Sequence, residues 1–407
     1  MTIGSSAVHA PLETDASRSA PLTVLIAVPT LDAGAADLGA VDLARILVSA
    51  GHHPIVVSSG GRLESIVTEA GGEIVHLNMA SRNPMVMARN ARRLVRLVRE
   101  RRCDVIHAHG RGPGWSAYIA ARVTGVPFLT SWYKGFREQN IFKRLYNSVL
   151  ARGDRVIAVS DQIAEMIVER HATPWDRIAV IPSGVDPSRY DPASVSSDRV
   201  EAVRRKWGVK PNTRVILVTG RMLRRKGHDV VVRAMQRLKE RGLKDFTCIF
   251  IGEDLGRTRY SGELWDHVMA SGTTEVVRLM GPVEDRPAAY AAANVVVSAS
   301  IQAEGLQRAI LEALAMARPV IASDLGAGPE VIQSPPMVPE ERMTGLRVPA
   351  GDDAALAAAL IRLLSLPETA RRAIGMRGRD WVIAHFDPAT ITSQMLAIYA
   401  RIGRRRR

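Results

Sequence analysis

The 407-residue chain has two cysteines, Cys103 and Cys248, too few for a disulfide framework or a thiolate metal cluster, and suited to a reducing compartment. No apolar run approaches the roughly 18 residues that a membrane-crossing helix needs. Residues 1–20 lack the basic start and apolar core of a signal peptide and read as a loose polar leader. No short internal repeat, Asp-x-Asp pair, aromatic-rich RNA motif or helix-turn-helix pattern occurs. These absences lead us to expect a cytoplasmic protein with no metal site and no nucleic-acid partner.

What is present is apolar material, 46% of residues, enough for two ordinary domains. The net charge of +14 is unevenly spread. Between Arg82 and Arg155 stand 16 Lys and Arg against Glu100, Asp104, Glu138 and Asp154, which leaves the rest of the chain close to neutral. Such a local excess attracts anions: phospholipid headgroups, nucleic acid, or a phosphorylated or acidic acceptor; the plainer alternative is a well-solvated basic face with no partner. The tail Arg404-Arg405-Arg406-Arg407 adds to that field.

Alternating apolar and helical segments run the length of the chain. Strands are expected at 22–28, 54–58, 103–108, 123–130, 155–160 and 178–181, with helices at 41–50 and 162–170 between them. A Pro-, Ser- and Asp-rich stretch, Asp186 to Pro211, reads as a domain boundary. A second set of strands follows at 215–219, 246–251, 276–279, 295–298 and 320–322, with helices at 228–241 and 308–316. The pattern predicts an α/β protein of two Rossmann-like domains facing across a cleft, one over 21–187 and the other over 205–385. A final helix over 388–402 is expected to pack back on the first domain. In such sheets ligands sit outside the carboxyl ends of the strands.

Two segments carry the expected chemistry. Gly220-Arg221-Met-Leu-Arg224-Arg225-Lys226-Gly227 follows a strand and precedes a helix. Its four cations suit a bound polyanion as well as they suit an exposed basic turn. Glu304-Gly305-Leu306-Gln307 leads into a helix that carries Glu312. Glu304 is placed in the loop and Glu312 one to two turns inside the helix, with no evident cation partner there. Gly305, Leu306 and Gln307 then offer free backbone N–H groups at the helix start, where phosphate is favoured.

His107 and His109 face one side of a strand. They read as a metal pair lacking a third ligand, or as residues packed in a core or lining a cleft. Trp115 could stack on a sugar or be buried. The stretch from Met87 to Arg102 is a basic amphipathic helix whose stripe, Met87, Ala91, Leu94, Val95 and Val98, fits either a core or an anionic leaflet.

The motifs Gly220-Arg221…Lys226-Gly227, Asp285-Arg-Pro-Ala-Ala-Tyr290, Glu304…Glu312-Ala313, Arg318-Pro-Val-Ile-Ala322 and Thr344-Gly345…Gly351-Asp352 resemble the donor half of family 4 glycosyltransferases. Ala158-Val-Ser160 and Ile181-Pro-Ser-Gly184-Val-Asp186 fit the same pattern. The resemblance spans about residues 22–400 and is strongest toward bacterial enzymes of lipopolysaccharide-core and other surface-glycan assembly. It implies the GT-B fold and retaining transfer from a nucleotide-diphosphate sugar, used as substrate, with no metal or other cofactor. Arg221 and Lys226 would grip the diphosphate, and Glu304 the hydroxyls of the transferred sugar. Gly220 and Gly305 to Gln307 would lie against the donor, and Glu312 would bind the ribose.

The acceptor would be a glycan or glycolipid. The protein would sit peripherally on the inner membrane through the basic Arg82–Arg155 region. In the acceptor half, Gly34-Ala35-Ala36-Asp37-Leu38 replaces the family's Gly-Gly-x-Glu-Arg, and Lys134-Gly135 replaces its His-Gly. With His109, these positions are the expected acceptor-side cleft residues. The departures also leave open a nucleotide- or glycan-binding scaffold or partner subunit without turnover.

Overall fold

The computed structural model describes residues 20–136, 140–254 and 258–404. Of the leader expected over 1–20, only Ala20 lies within them, and Arg405 to Arg407 of the tail lie outside. The chain forms two compact units: Met1–Pro182 with Ala389–Arg407, and Ser183–Pro388.

The first unit runs β1 (Thr23–Ala27), α1 (Ala35–Ser49), β2 (His53–Ser58), α2 (Glu64–Glu69), β3 (Glu73–His76), α3 (Pro84–Glu100) and β4 (Val105–His109). It continues α4 (Arg111–Thr124), β5 (Phe128–Trp132), α5 (Ile141–Asn147), β6 (Arg155–Ala158), α6 (Asp161–His171) and β7 (Ile178–Val180). Its parallel sheet has the order β3-β2-β1-β4-β5-β6-β7. The central strands are buried along almost their whole length, because helices cover both faces of such a sheet.

The second unit holds α7 (Ser197–Lys206), β8 (Arg214–Thr219), α8 (His228–Glu240), β9 (Phe246–Ile251), α9 (Thr258–Ala270), β10 (Val277–Gly281) and α10 (Arg286–Ala291). Then come β11 (Val295–Ser298), α11 (Arg308–Ala315), β12 (Val320–Ser323), α12 (Gly328–Val331), β13 (Gly345–Val348), α13 (Asp353–Ser365) and α14 (Glu368–His385). The order β10-β9-β8-β11-β12-β13 is again parallel. The last helix, α15 (Pro388–Arg404), buries Ile391, Ile398, Tyr399 and Ile402 in the core of the first unit with Leu22, Val24 and Leu43.

Several elements differ from the sequence expectation. Val123 and Thr124 close α4 rather than open a strand, because Gly125 ends that helix at φ +72°, and β5 begins at Phe128. Helix α1 starts at Ala35, six residues early. The Asp37 carboxylate accepts bonds from Gly34 N–H and Thr30 Oγ1 and ties down the first turn. Asp186 to Pro211 is part of the second unit, where Ser196 caps α7. Strand β3 was not anticipated; it lies at the sheet edge and buries no side chain fully.

In both sheets the strand order reverses once, between β1 and β4 and between β8 and β11. In each sheet the reversal leaves its own crevice beyond the carboxyl ends of the two strands, and the loops after them are where a ligand can sit.

Candidate donor site

The loop after β8 and the loop after β11 meet at the reversal point of the second sheet. Gly220 takes φ +141°, a backbone state that side chains disfavour, and the Lys226 side chain lies over it. Arg224 to Lys226 make one 3-10 turn, closed by Gly227 at φ +66°. A Cβ on Gly227 would stand 1.9 Å from the Ala299 carbonyl oxygen, so only glycine lets the two loops touch. Ile301 N–H donates to the Arg225 carbonyl at 2.9 Å and stitches them together. Gly227→Ala is therefore expected to destabilise the second unit by roughly 2 to 4 kcal/mol, read as a lower midpoint in denaturant unfolding.

This stitching places charges in opposition. Lys226 Nζ donates to Glu304 Oε2 at 2.7 Å, and Arg225 reaches Glu304 Oε1 at 2.5 Å. Ser300 donates to the same carboxylate at 3.1 Å. Gln307 Oε1 accepts from Ser298 Oγ at 2.7 Å and more weakly from Lys226 at 3.4 Å. Burial raises the Glu304 pKa, but Lys226 and Arg225 outweigh it and hold the carboxyl below its ordinary range. Burial lowers the Lys226 pKa against the pull of Glu304, with Arg225 and Arg221 adding repulsion. His228, the first residue of α8, is pushed down to about 4 by burial and then by Lys226, and is neutral at pH 7. The result is a preformed, largely buried cation–carboxylate pair between the two loops, with Arg221 and Arg225 close by.

Gln307 is the N-cap of α11, and Gly305 is buried beside the half-buried Leu306 ahead of it. Glu312, five residues into the helix, has its cation partner elsewhere. Arg286 of α10 pairs with its Oε2, and the Tyr290 hydroxyl donates to the same oxygen at 2.8 Å. Arg225 and Arg286 were absent from the expected site. The charge density of 221–226 was a signal for the first, and the 285–290 motif for the second.

The first-unit residues lie on three different strand ends. Gly34 caps α1, with Ala35 exposed after it; His109 ends β4; and Lys134 is exposed after β5. His109 Nδ1 is hydrogen-bonded to the Tyr133 hydroxyl at 3.0 Å, and that hydroxyl packs directly on Gly39 of α1. Burial pushes His109 down to about 3, so it is neutral. His107 is fixed between Tyr399 Oη at 2.7 Å and Ser131 Oγ at 2.9 Å, and burial lowers its pKa as well. Tyr399→Phe is expected to cost about 1 to 3 kcal/mol in a urea unfolding series, because it strips a partner from a fully buried imidazole. Among the described residues no three His, Cys, Asp or Glu gather as metal ligands. Trp115 is half-buried and donates to the Tyr146 carbonyl at 3.0 Å.

The pattern described as glycosyl transferases group 1 matches residues 213–366, and that of glycosyltransferase family 4 matches residues 38–189. A D-inositol 3-phosphate glycosyltransferase of Xylanimonas cellulosilytica is 30% identical over 327 residues, covering 74% of this chain and 73% of that protein. The chain belongs to glycosyltransferase family 4. It is thus a retaining glycosyltransferase that uses a nucleotide-diphosphate-sugar donor.

The family 4 chain also has solved neighbours. A glycosyltransferase from Rickettsia africae superposes with a TM-score of 0.83 at 30% identity, over 94% of this chain and 98% of that one. HepE of Anabaena, solved with UDP-glucose, has a TM-score of 0.80 at 19% identity over 93% and 100%. Both support the GT-B fold of two Rossmann-like units.

Proposed function

We propose that this glycosyltransferase moves a sugar onto an anionic, lipid-linked or surface-glycan acceptor of the lipopolysaccharide type, at the cytoplasmic face of the inner membrane. The observation that carries the donor assignment is the Lys226–Glu304 pair at the strand-order reversal. On donor entry Lys226, Arg221 and Arg225 turn to the diphosphate oxygens, and the start of α11 adds backbone N–H groups from Gly305 to Gln307. Glu304, released from its cations, accepts from hydroxyls of the transferred sugar. Glu312, oriented by Arg286 and Tyr290, accepts from the ribose hydroxyls. As the anomeric carbon leaves the β-phosphate oxygen for the acceptor oxygen, charge builds on the departing diphosphate. The acceptor's proton leaves with it. Fixed cations neutralise that charge, so no divalent ion is required.

The basic first unit supports an acceptor that carries phosphate or carboxylate. The name of the Xylanimonas relative, with its phosphorylated polyol, supports the same reading, and the UDP-glucose bound in HepE makes a uridine donor the first to try. The test is to mix purified protein with UDP-, GDP- and ADP-sugars and phosphorylated glycan acceptors, and follow nucleoside diphosphate release. Saturable, acceptor-dependent release is expected. Donor binding without release across the whole acceptor panel would instead favour the scaffold reading that Ala35, Leu38 and Lys134 motivate.

A further inference from the structure

The first unit has a surface that its fold leaves without an explanation. In α5, Ile141, Phe142 and Leu145 are 75%, 78% and 53% exposed. A surface helix of a globular domain normally turns such side chains inward. The helix is instead held by its other residues. Asn140 caps it by accepting from Lys143 N–H at 2.9 Å. Asn147 Oδ1 accepts from Arg111 at 2.6 Å, and the Arg111 guanidinium lies 5.4 Å from the Tyr146 ring. Thus α5 is anchored by Asn140, Tyr146 and Asn147 while its large apolar side chains point out.

The surroundings are basic. Lys143 and Arg144 are exposed on the same helix. The start of α3 lies close by, because the Ser81 carbonyl and the Tyr146 hydroxyl both crowd Gly112, within 3.4 and 3.6 Å of where a Cβ would stand. Arg82 and Arg89 are exposed there, and Met85 is 79% exposed. The stripe of α3 itself is spent: Ala91, Leu94 and Val98 are buried in the first-unit core, so α3 contributes charge and not an apolar face. Helices α3, α4 and α5 each follow the carboxyl end of a strand, the edge that also carries Gly34, His109 and Lys134.

We infer that α5 is a docking element for an anionic lipid bilayer. Ile141, Phe142 and Leu145 enter the headgroup boundary while Lys143, Arg144 and Arg82 meet lipid phosphates. Apolar tips ringed by cations match an anionic interface, where a few side chains suffice together with electrostatic attraction. Four exposed apolar residues offer far less than the roughly 800 Å² per partner of a stable protein interface. Docking by this edge would bring the acceptor-side residues to a lipid-borne acceptor. That consequence rests on the proposed function, whereas the docking itself does not.

The test uses the full chain with vesicles of phosphatidylcholine, with and without phosphatidylglycerol, in flotation. Binding to the anionic vesicles alone is expected. Ile141→Asp with Phe142→Asp should weaken it about tenfold or more, and Lys143→Glu with Arg144→Glu by about fivefold for each charge removed. Phe142→Trp should show a blue-shifted emission on anionic vesicles. Failure of the wild-type chain to bind vesicles would overturn the inference. So would equal binding by the aspartate variant, or a wild-type dimer that the aspartate pair splits. Donor binding, measured in parallel, should be unchanged in every variant, so its loss would concern the donor site alone.

Discussion

Lys226→Met is expected to lower kcat/KM for the sugar donor by about 10³-fold and to abolish the thermal shift given by nucleoside diphosphate. The ammonium is one of the cations proposed to meet the diphosphate, and its side chain is largely buried, where water screens little. Loss of one preorganised group of that kind costs 10²- to 10³-fold in turnover, and binding is lost as well. Methionine fills the same volume over Gly220. The fold should survive because Glu304 keeps Arg225 at 2.5 Å and Ser300 at 3.1 Å. Nucleoside diphosphate release and a melting curve measured on one preparation separate the two effects. Turnover within a few-fold of wild type would remove Lys226 from the site.

Glu304→Gln is expected to behave differently. Turnover should fall 10²- to 10³-fold, yet nucleoside diphosphate should bind as well as to wild type or better, because Lys226 no longer has a carboxylate to leave. The extra affinity that the sugar gives over the bare nucleotide should vanish. There is also a signature in pH. Glu304 has a folded pKa below its unfolded value, so its stabilisation is complete above the ordinary carboxylate range and is lost as pH falls through the lower folded pKa. Wild-type protein should therefore lose stability over that acidic window by more than the glutamine variant does. Titration calorimetry with nucleotide and sugar nucleotide, plus melting against pH, checks both parts.

These residues could be read from the chain because each motif is local and its place relative to a strand decides where it lies. Gly220–Gly227 follows β8 and Glu304–Gln307 follows β11, and parallel order brings both to one sheet edge. What could not be read depends on contacts between distant positions. Glu312 meets Arg286 across 26 residues, and His107 meets Tyr399 across 292. No periodicity encodes either pair. Arg225 cannot be told from Arg221 in the sequence, because four cations in one loop look alike until the 3-10 turn aims Arg225 and Lys226 at the same carboxylate. Strand β3 escaped because an edge strand with half-exposed side chains lacks the apolar run that marks its neighbours. Helix α5 is equally hard to read, since it is short and its apolar residues Ile141, Phe142 and Leu145 face solvent instead of a core.

The most direct measurement is a crystal structure of the chain with the intact sugar nucleotide that supports turnover. The account predicts Lys226 Nζ moved from Glu304 onto a diphosphate oxygen, with the Glu304 carboxylate on hydroxyls of the transferred sugar and Glu312 on the ribose. A donor bound elsewhere, with the Lys226–Glu304 pair still closed, would contradict it.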